Sequence, residues 1–211
     1  MIVEHFPVGL LQCNCVILGD EKTKRAVVVD PGDDVRRIEA ALKKHGLTVT
    51  AIVATHAHID HVGGLAELKR MTGGKTMLHE ADLELYQGLE EQAQWLGVAT
   101  PQIGSIDAFL TDGGRVEFGA SGIDVLHTPG HSPGSVTFVG TGETQLILAG
   151  DTLFAGSIGR TDLWGGSYDA IIASIRSRLL TLPDESAVIC GHGPMTTIGR
   201  ERTTNPFLTE V

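Results

Sequence analysis

Apolar positions along the chain fall into short blocks whose spacing switches between two periods. Leu11 to Leu18 and Ala26 to Asp30 have the length and content of strands, joined by the charged turn Gly19-Asp20-Glu21-Lys22. The second block ends in the turn signal Asp30-Pro31-Gly32. The period then changes: Val35, Ile38, Leu42 and His45 share one face of a helix that Asp33 or Asp34 can cap and Gly46 stops. Another strand, Ala51-Ile52-Val53-Ala54, runs into Thr55-His56-Ala57-His58-Ile59-Asp60-His61. A helix follows from about Gly64 to Met71, then a short strand from Lys75 to Leu78. Between positions 80 and 105, Leu83, Leu85, Leu89 and Trp95 among Glu and Gln suit a helix or an insertion flanking a site, and the pattern does not choose.

Five further strand-like runs are separated by glycine-rich turns: Asp107 to Leu110, Arg115 to Phe118, Ile123 to His127, Val136 to Val139 and Gln145 to Ala149. Ser167 caps an amphipathic helix with Tyr168, Ile171, Ile172, Ile175 and Leu179 on one face, and Pro183 follows its end. A last strand, Ala187 to Cys190, meets Gly191-His192-Gly193-Pro194. Strands, helix, strands again and helix describe an α/β or layered α+β architecture.

Composition narrows the classes. A length of 211 residues suits one domain over 1–211, and 42% hydrophobic with 20% charged residues is ordinary for a globular chain. A net charge of −10 argues against a polyanion-binding surface, so no nucleic-acid partner is expected. The start, Met1-Ile2-Val3-Glu4-His5-Phe6-Pro7, lacks a basic leader and an apolar core, and no stretch approaches the roughly 18 apolar residues of a membrane span. A cytoplasmic protein without a membrane partner is the expectation; oligomeric state leaves no signature. Cys13, Cys15 and Cys190 are an odd set without zinc-finger spacing, read as small buried hydrophobes rather than as a Cys-x-Cys metal or redox motif.

The chemistry concentrates at 55–61. Three imidazoles and a carboxylate at the end of a buried strand serve no packing need, and both are common ligands for zinc-like metals. Three more ligand types each follow an apolar run: His131 in Thr128-Pro129-Gly130-His131-Ser132-Pro133-Gly134, Asp151 in Gly150-Asp151-Thr152, and His192. Ligands at the ends of neighbouring strands converge on one cleft. Asp30 is either a turn former or a carboxylate orienting a ligand histidine. His127 is either a core residue or a contact to the site. His79 and His45 lack ligand company and are read as structural.

His56-x-His58-x-Asp60-His61 with His131, Asp151 and His192 resembles the metallo-β-lactamase fold superfamily in order, spacing and flanking residues, over nearly the whole chain. The resemblance implies a four-layer αββα sandwich with metals at one edge between the sheets. It implies that His56, His58 and His131 hold one divalent ion and Asp60, His61 and His192 another, with Asp151 bridging. Zinc is expected, and iron or manganese suits the same N and O ligands. Such a pair of ions, about 3.5–4 Å apart, acidifies a shared water and clamps a developing oxyanion. Asp60 then has two candidate jobs, terminal ligand and catalytic partner that orients the attacking hydroxide.

Members that open β-lactams typically lack the bridging aspartate, which points away from antibiotic hydrolysis. The branch resembled most is glyoxalase II, the hydroxyacylglutathione hydrolases, through Thr128 to Ser135, Gly150-Asp151-Thr152-Leu153-Phe154 and Asn205-Pro206-Phe207-Leu208. Gly191-His192-Gly193-Pro194 and Ile158-Gly159-Arg160-Thr161-Asp162 resemble its short bacterial type. Arg160 falls where the family places a basic, substrate-binding residue near glutathione, or else is a loop arginine paired with Asp162. Only 19 residues follow His192, so a short type lacking the helical domain of the longer enzymes is expected. The implied activity is hydrolysis of a small thiolester, S-lactoylglutathione or a relative, by a metal-bound hydroxide. The alternatives are a mononuclear iron persulfide dioxygenase, a phosphodiesterase and a non-catalytic scaffold.

Overall fold

Several strands read as unbroken apolar runs because both of their faces are covered. The computed structural model describes residues 1–140 and 145–209. Its first sheet has the order β1 (Ile2–Val8), β2 (Cys13–Gly19), β3 (Arg25–Val29), β4 (Thr48–Val53), β5 (Lys75–His79), β6 (Ala108–Leu110). The first three strands are antiparallel neighbours, and β3 to β6 run parallel. Parallel neighbours need crossovers. These are α1 (Val35–His45), then α2 (Ile59–Val62) with α3 (Leu65–Thr72), then α4 (Leu83–Gln87) with α5 (Leu89–Leu96).

The second sheet takes β7 (Arg115–Phe118), β8 (Ser121–His127), β9 (Val136–Gly140) and β10 (Leu146–Gly150) as antiparallel neighbours. A two-stranded ribbon, β11 (Leu153–Phe154) and β12 (Ser157–Ile158), follows. Then come α6 (Tyr168–Ser174), β13 (Ala187–Cys190) parallel to β10, β14 (Thr196–Thr197), α7 (Ile198–Thr204) and α8 (Pro206–Thr209).

Period-two alternation sorts these strands' side chains into three cores. Val16, Leu18, Val27, Val29, Ala51 and Val53 face Phe118, Ile123, Val125, Phe138, Leu148 and Ile189 between the sheets. Their neighbours Cys13, Cys15, Ile17, Ala26, Val28 and Ile52 point the other way, against Ile38, Leu42, Leu65, Leu68 and Leu89 of the helices. Ile147, Ala149, Val188 and Cys190 face outward to Ile171, Ile175, Ile198 and Leu208. Helices, sheet, sheet and helices make the four-layer αββα arrangement, as expected.

The differences have local causes. β1 was not among the expected strands: its outer positions are exposed and it is an edge, where Pro7 is tolerated. The expected strand at Leu11 begins only at Cys13, because residues 9–12 turn, with Gly9 and Gln12 at positive φ. Asp34 stands at the head of α1, yet in a left-handed conformation (φ 49°), and its carboxylate accepts from the Gly9 N–H instead of capping the helix. The helix after Ser167 winds wide into a π turn over Ile175–Leu179. The segment after His192 forms β14, α7 and α8, which no pattern announced.

Gly130 ties the second sheet's loop to α6. Its φ is +138°, and a Cβ there would lie 2.2 Å from the Ile171 nitrogen. Gly130→Ala therefore combines backbone strain with a clash against a buried helix. It should lower the unfolding free energy by about 2 kcal/mol or more, read in chemical denaturation, and the melting temperature by roughly 4–8 °C.

Candidate metal centre

Every ligand candidate sits just past a strand, on the same edge of the sandwich. His56 and His58 follow β4, and Asp60 and His61 occupy the first turn of α2. His131 lies between β8 and β9, Asp151 directly after β10, and His192 directly after β13. Close backbone approach makes this convergence possible. A Cβ on Gly32 would lie 1.5 Å from the Asp60 carbonyl oxygen, and one on Gly191 would lie 2.0 Å from Asp151 Oδ1. Only glycine fits either position.

The donor atoms form two groups. His131 Nε2 lies 2.8 Å from His58 Nδ1 and 3.2 Å from His56 Nε2. His192 Nε2 lies 3.2 Å from His61 Nε2 and 3.1 Å from Asp60 Oδ2. Asp151 stands between them, Oδ1 at 3.4 Å from His61 Nε2 and Oδ2 at 3.6 Å from His131 Nε2. All seven candidates of the motif reading are thus brought together. Within each trio, His56–His58–His131 and Asp60–His61–His192, the donor atoms lie within 4.8 Å of one another.

The far sides of four of the five rings are held. His61 Nδ1 is 2.9 Å from Asp30 Oδ2, His131 Nδ1 donates to the Arg160 carbonyl at 2.8 Å, and His192 Nδ1 donates to the Leu11 carbonyl at 3.0 Å. His56 Nδ1 meets Thr55 Oγ1 at 3.1 Å. A ring that donates through one nitrogen offers the other's lone pair, which here points inward. Burial and the adjacent imidazoles of His61 and His131 hold His56 well below the usual imidazole range, and burial with His131 pushes His58 to about 3. Both rings are neutral at physiological pH, the form that binds a cation. Burial alone would raise the Asp60 carboxyl, but the His61 and His192 rings outweigh it and keep Asp60 ionised.

One atom tests whether this donor set suits a metal. Asp151 Oδ1 is the single buried side-chain polar atom without a hydrogen-bond partner among the described residues. An unpartnered buried carboxylate oxygen is costly. A cation is the partner it fits, set between the His61 and His131 rings.

The supporting residues were only partly legible. Asp30 fills both roles considered for it: its carbonyl closes the turn to the Gly32 N–H, and its carboxylate accepts from the Thr55 N–H and Thr55 Oγ1, each at 2.7 Å, besides meeting His61. Asp82 and Gln92, in the stretch that periodicity left open, were missed. Asp82 is fully buried and accepts from the Ala57 N–H (3.0 Å), Ser132 Oγ (2.7 Å) and the Gly134 N–H (2.6 Å), so one carboxylate pins both ligand loops. Gln92 accepts from the Ile59 N–H and donates to the Ala57 and Leu85 carbonyls, fastening α5 to the same loop. No local pattern marks either residue, since most of their partners lie far off in sequence.

The remaining candidates stand apart. His127 stacks on His79 (ring centroids 4.1 Å, planes 6° apart) and its Nε2 reaches the Pro133 carbonyl, outside the donor groups. His79 accepts from the Ala81 N–H at the start of the next helical turn, a structural role. The Arg160 guanidinium is exposed and doubly paired with Asp162 at 2.8 Å, while its carbonyl supports His131. All three cysteines are buried and free, and burial pushes the Cys13 and Cys190 thiols up to about 12. Cys13 stays protonated beside His61, 3.4 Å away. Among the described residues, no helix is long and apolar enough to cross a membrane.

Comparison with known proteins agrees with this geometry. The chain is 39% identical to the hydroxyacylglutathione hydrolase GloC of Haemophilus influenzae, over 99% of this chain and 98% of that protein. Its fold superposes on the BLEG-1 B3 metallo-beta-lactamase with a TM-score of 0.91, at 37% identity over 99% of this chain and all of that one. A second solved structure, of a protein in a di-iron-bound form, gives a TM-score of 0.86 at 43% identity over 96% of this chain and 98% of the other. Residues 8–192 match the metallo-beta-lactamase superfamily as a whole, and the chain belongs to that superfamily.

Proposed function

We propose that the protein is a dinuclear metal-dependent hydrolase of small thiolesters. The observation that carries the metal count is the orphaned Asp151 carboxylate between two donor groups. His56, His58 and His131 would hold one divalent ion and Asp60, His61 and His192 the other, with Asp151 shared. A mononuclear iron dioxygenase would need only one such group. Likeness to a hydroxyacylglutathione hydrolase across the full length supports a thiolester, glutathione-based or related, as the substrate class.

When bound, two divalent cations supply Lewis acidity toward the acyl oxygen and a water acidic enough to react near neutral pH. The chain's own residues supply geometry. The Asp60 carboxylate, ionised beside the His192 ring, has a second oxygen to accept a hydrogen bond from the attacking water and hold its lone pair toward the acyl carbon. Water adds to that carbon, the C–S bond breaks, the thiolate leaves and takes up a proton, and a carboxylic acid remains. Rings anchored by Asp30, Leu11 and Arg160 move little while charge develops. A second reading, β-lactam opening, rests on the likeness to BLEG-1 and uses the same attack at an acyl carbon.

Turnover and metal content measured on one preparation decide between these. Two divalent ions per chain and cleavage of S-lactoylglutathione or another thiolester are expected. A single iron with oxygen uptake on a persulfide, or cleavage of nitrocefin but of no thiolester, would sink the proposal. His58→Ala should lose most of one equivalent of metal and about a hundredfold or more in turnover. Asp30→Asn sets an amide where His61 and Thr55 require an acceptor, and chelator competition should show metal held about 10–100-fold more weakly. Asp82→Asn removes one acceptor shared by both ligand loops. It should destabilise the apoprotein by about 1–3 kcal/mol in urea titration, an effect Asp30-distant surface substitutions would not show.

A further inference from the structure

A cleft of about 590 Å³ adjoins the centre on the side of Asp60, within the size range of small-molecule sites. Its apolar walls are Leu10, Leu11, Ile59, Leu96, Val98 and Pro101. Leu10 is 83% exposed, and Leu11, Leu96 and Val98 are also exposed, an apolar surface that water covers poorly. Two residues join cleft and centre. Asp60 lines the cleft while its Oδ2 faces His192, and Leu11 lines it while its carbonyl holds the His192 ring. Gln92 fastens the α5 wall to the loop that carries Asp60, so the cleft and the ligands keep a fixed relation.

We propose that this cleft is the acyl pocket and that it selects thiolesters with an aliphatic acyl chain of several carbons over acetyl or lactoyl; this rests on the thiolesterase reading. Charge decides which end of the substrate enters. Away from the donor residue Asp60, the cleft is lined by Asp33 and Glu67 against Arg70 alone, so an anionic thiol is repelled while a neutral chain is accepted. The polar leaving group then lies toward the other donor group, where the exposed Arg160–Asp162 pair offers hydrogen bonds to a solvated thiol. An acyl carbon at the centre places its two substituents in those two directions.

Acetyl, butanoyl, hexanoyl and octanoyl thiolesters of N-acetylcysteamine, offered to the metal-loaded protein, test this. The kcat/KM should rise about three- to fourfold per added methylene until the cleft is filled, the factor expected for burying one CH2. Leu96→Arg and Val98→Arg, both at partly exposed positions, should cut the octanoyl-to-acetyl ratio about tenfold or more. Calorimetry gives a reading independent of turnover: octanoate should bind the metal-loaded protein more tightly than acetate, and Leu96→Arg should abolish the difference. A flat chain-length series together with equal binding of the two acids would overturn the pocket. So would a dimer in sedimentation that Leu96→Arg dissociates with the octanoyl-to-acetyl ratio unchanged, since the face would then belong to a second copy. Absence of thiolester cleavage with octanoate still preferred would overturn the thiolesterase reading and leave the pocket.

Discussion

The Asp30 carboxylate is the constraint on which the site depends. It is buried at the end of β3 in a left-handed conformation that non-glycine residues seldom adopt. A buried charge needs every lone pair engaged, and the donors nearby are Thr55, at the end of β4, and His61, in α2. Satisfying one carboxylate therefore draws the ends of two parallel strands together and turns the His61 ring so that Nε2 faces inward. Strain at Asp30 is tolerated because three donors over-determine its position.

Asp82 acts in the same way one layer across. It binds the loop of His56 and His58 through Ala57, and the loop of His131 through Ser132 and Gly134. Asp30 secures the second donor group and Asp82 the first, so the pair of carboxylates fixes the separation of the groups before any cation binds. The sheets alone would not do this. Their shared core of valine, leucine and phenylalanine sets the distance between layers but leaves the loops beyond the strand ends free to splay.

What could be read from the residues follows the range of the forces involved. The ligands were legible because metal chemistry demands rare side chains, and the 55–61 stretch concentrates four of them. The layered architecture was legible because two-sided burial leaves unbroken apolar runs in β2, β3, β4 and β10. Edges and supports were not. β1 alternates only weakly, and the tail after His192 carries its helices on few apolar residues, Ile198 and Leu208 chief among them. Asp82 and Gln92 hold the candidate ligand loops through backbone groups 25 to 52 positions away, which no local period records.

The two donor groups differ in access, and that difference gives the site a direction. His56 and His131 are almost wholly buried, backed by Thr55 and by the Arg160 carbonyl. The side chains of His192, Asp60 and Asp151 retain 27%, 18% and 13% exposure. The more open side of the donor set therefore lies at His192 and Asp60, beside Leu11. Asp60 thus stands on that more open side. It is held ionised by the rings beside it. Asp60 belongs both to a donor trio and to the wall of the cleft. A substitution at Leu96 or Val98, in the wall beyond Asp60, would then change the cleft while leaving the seven donor side chains in place.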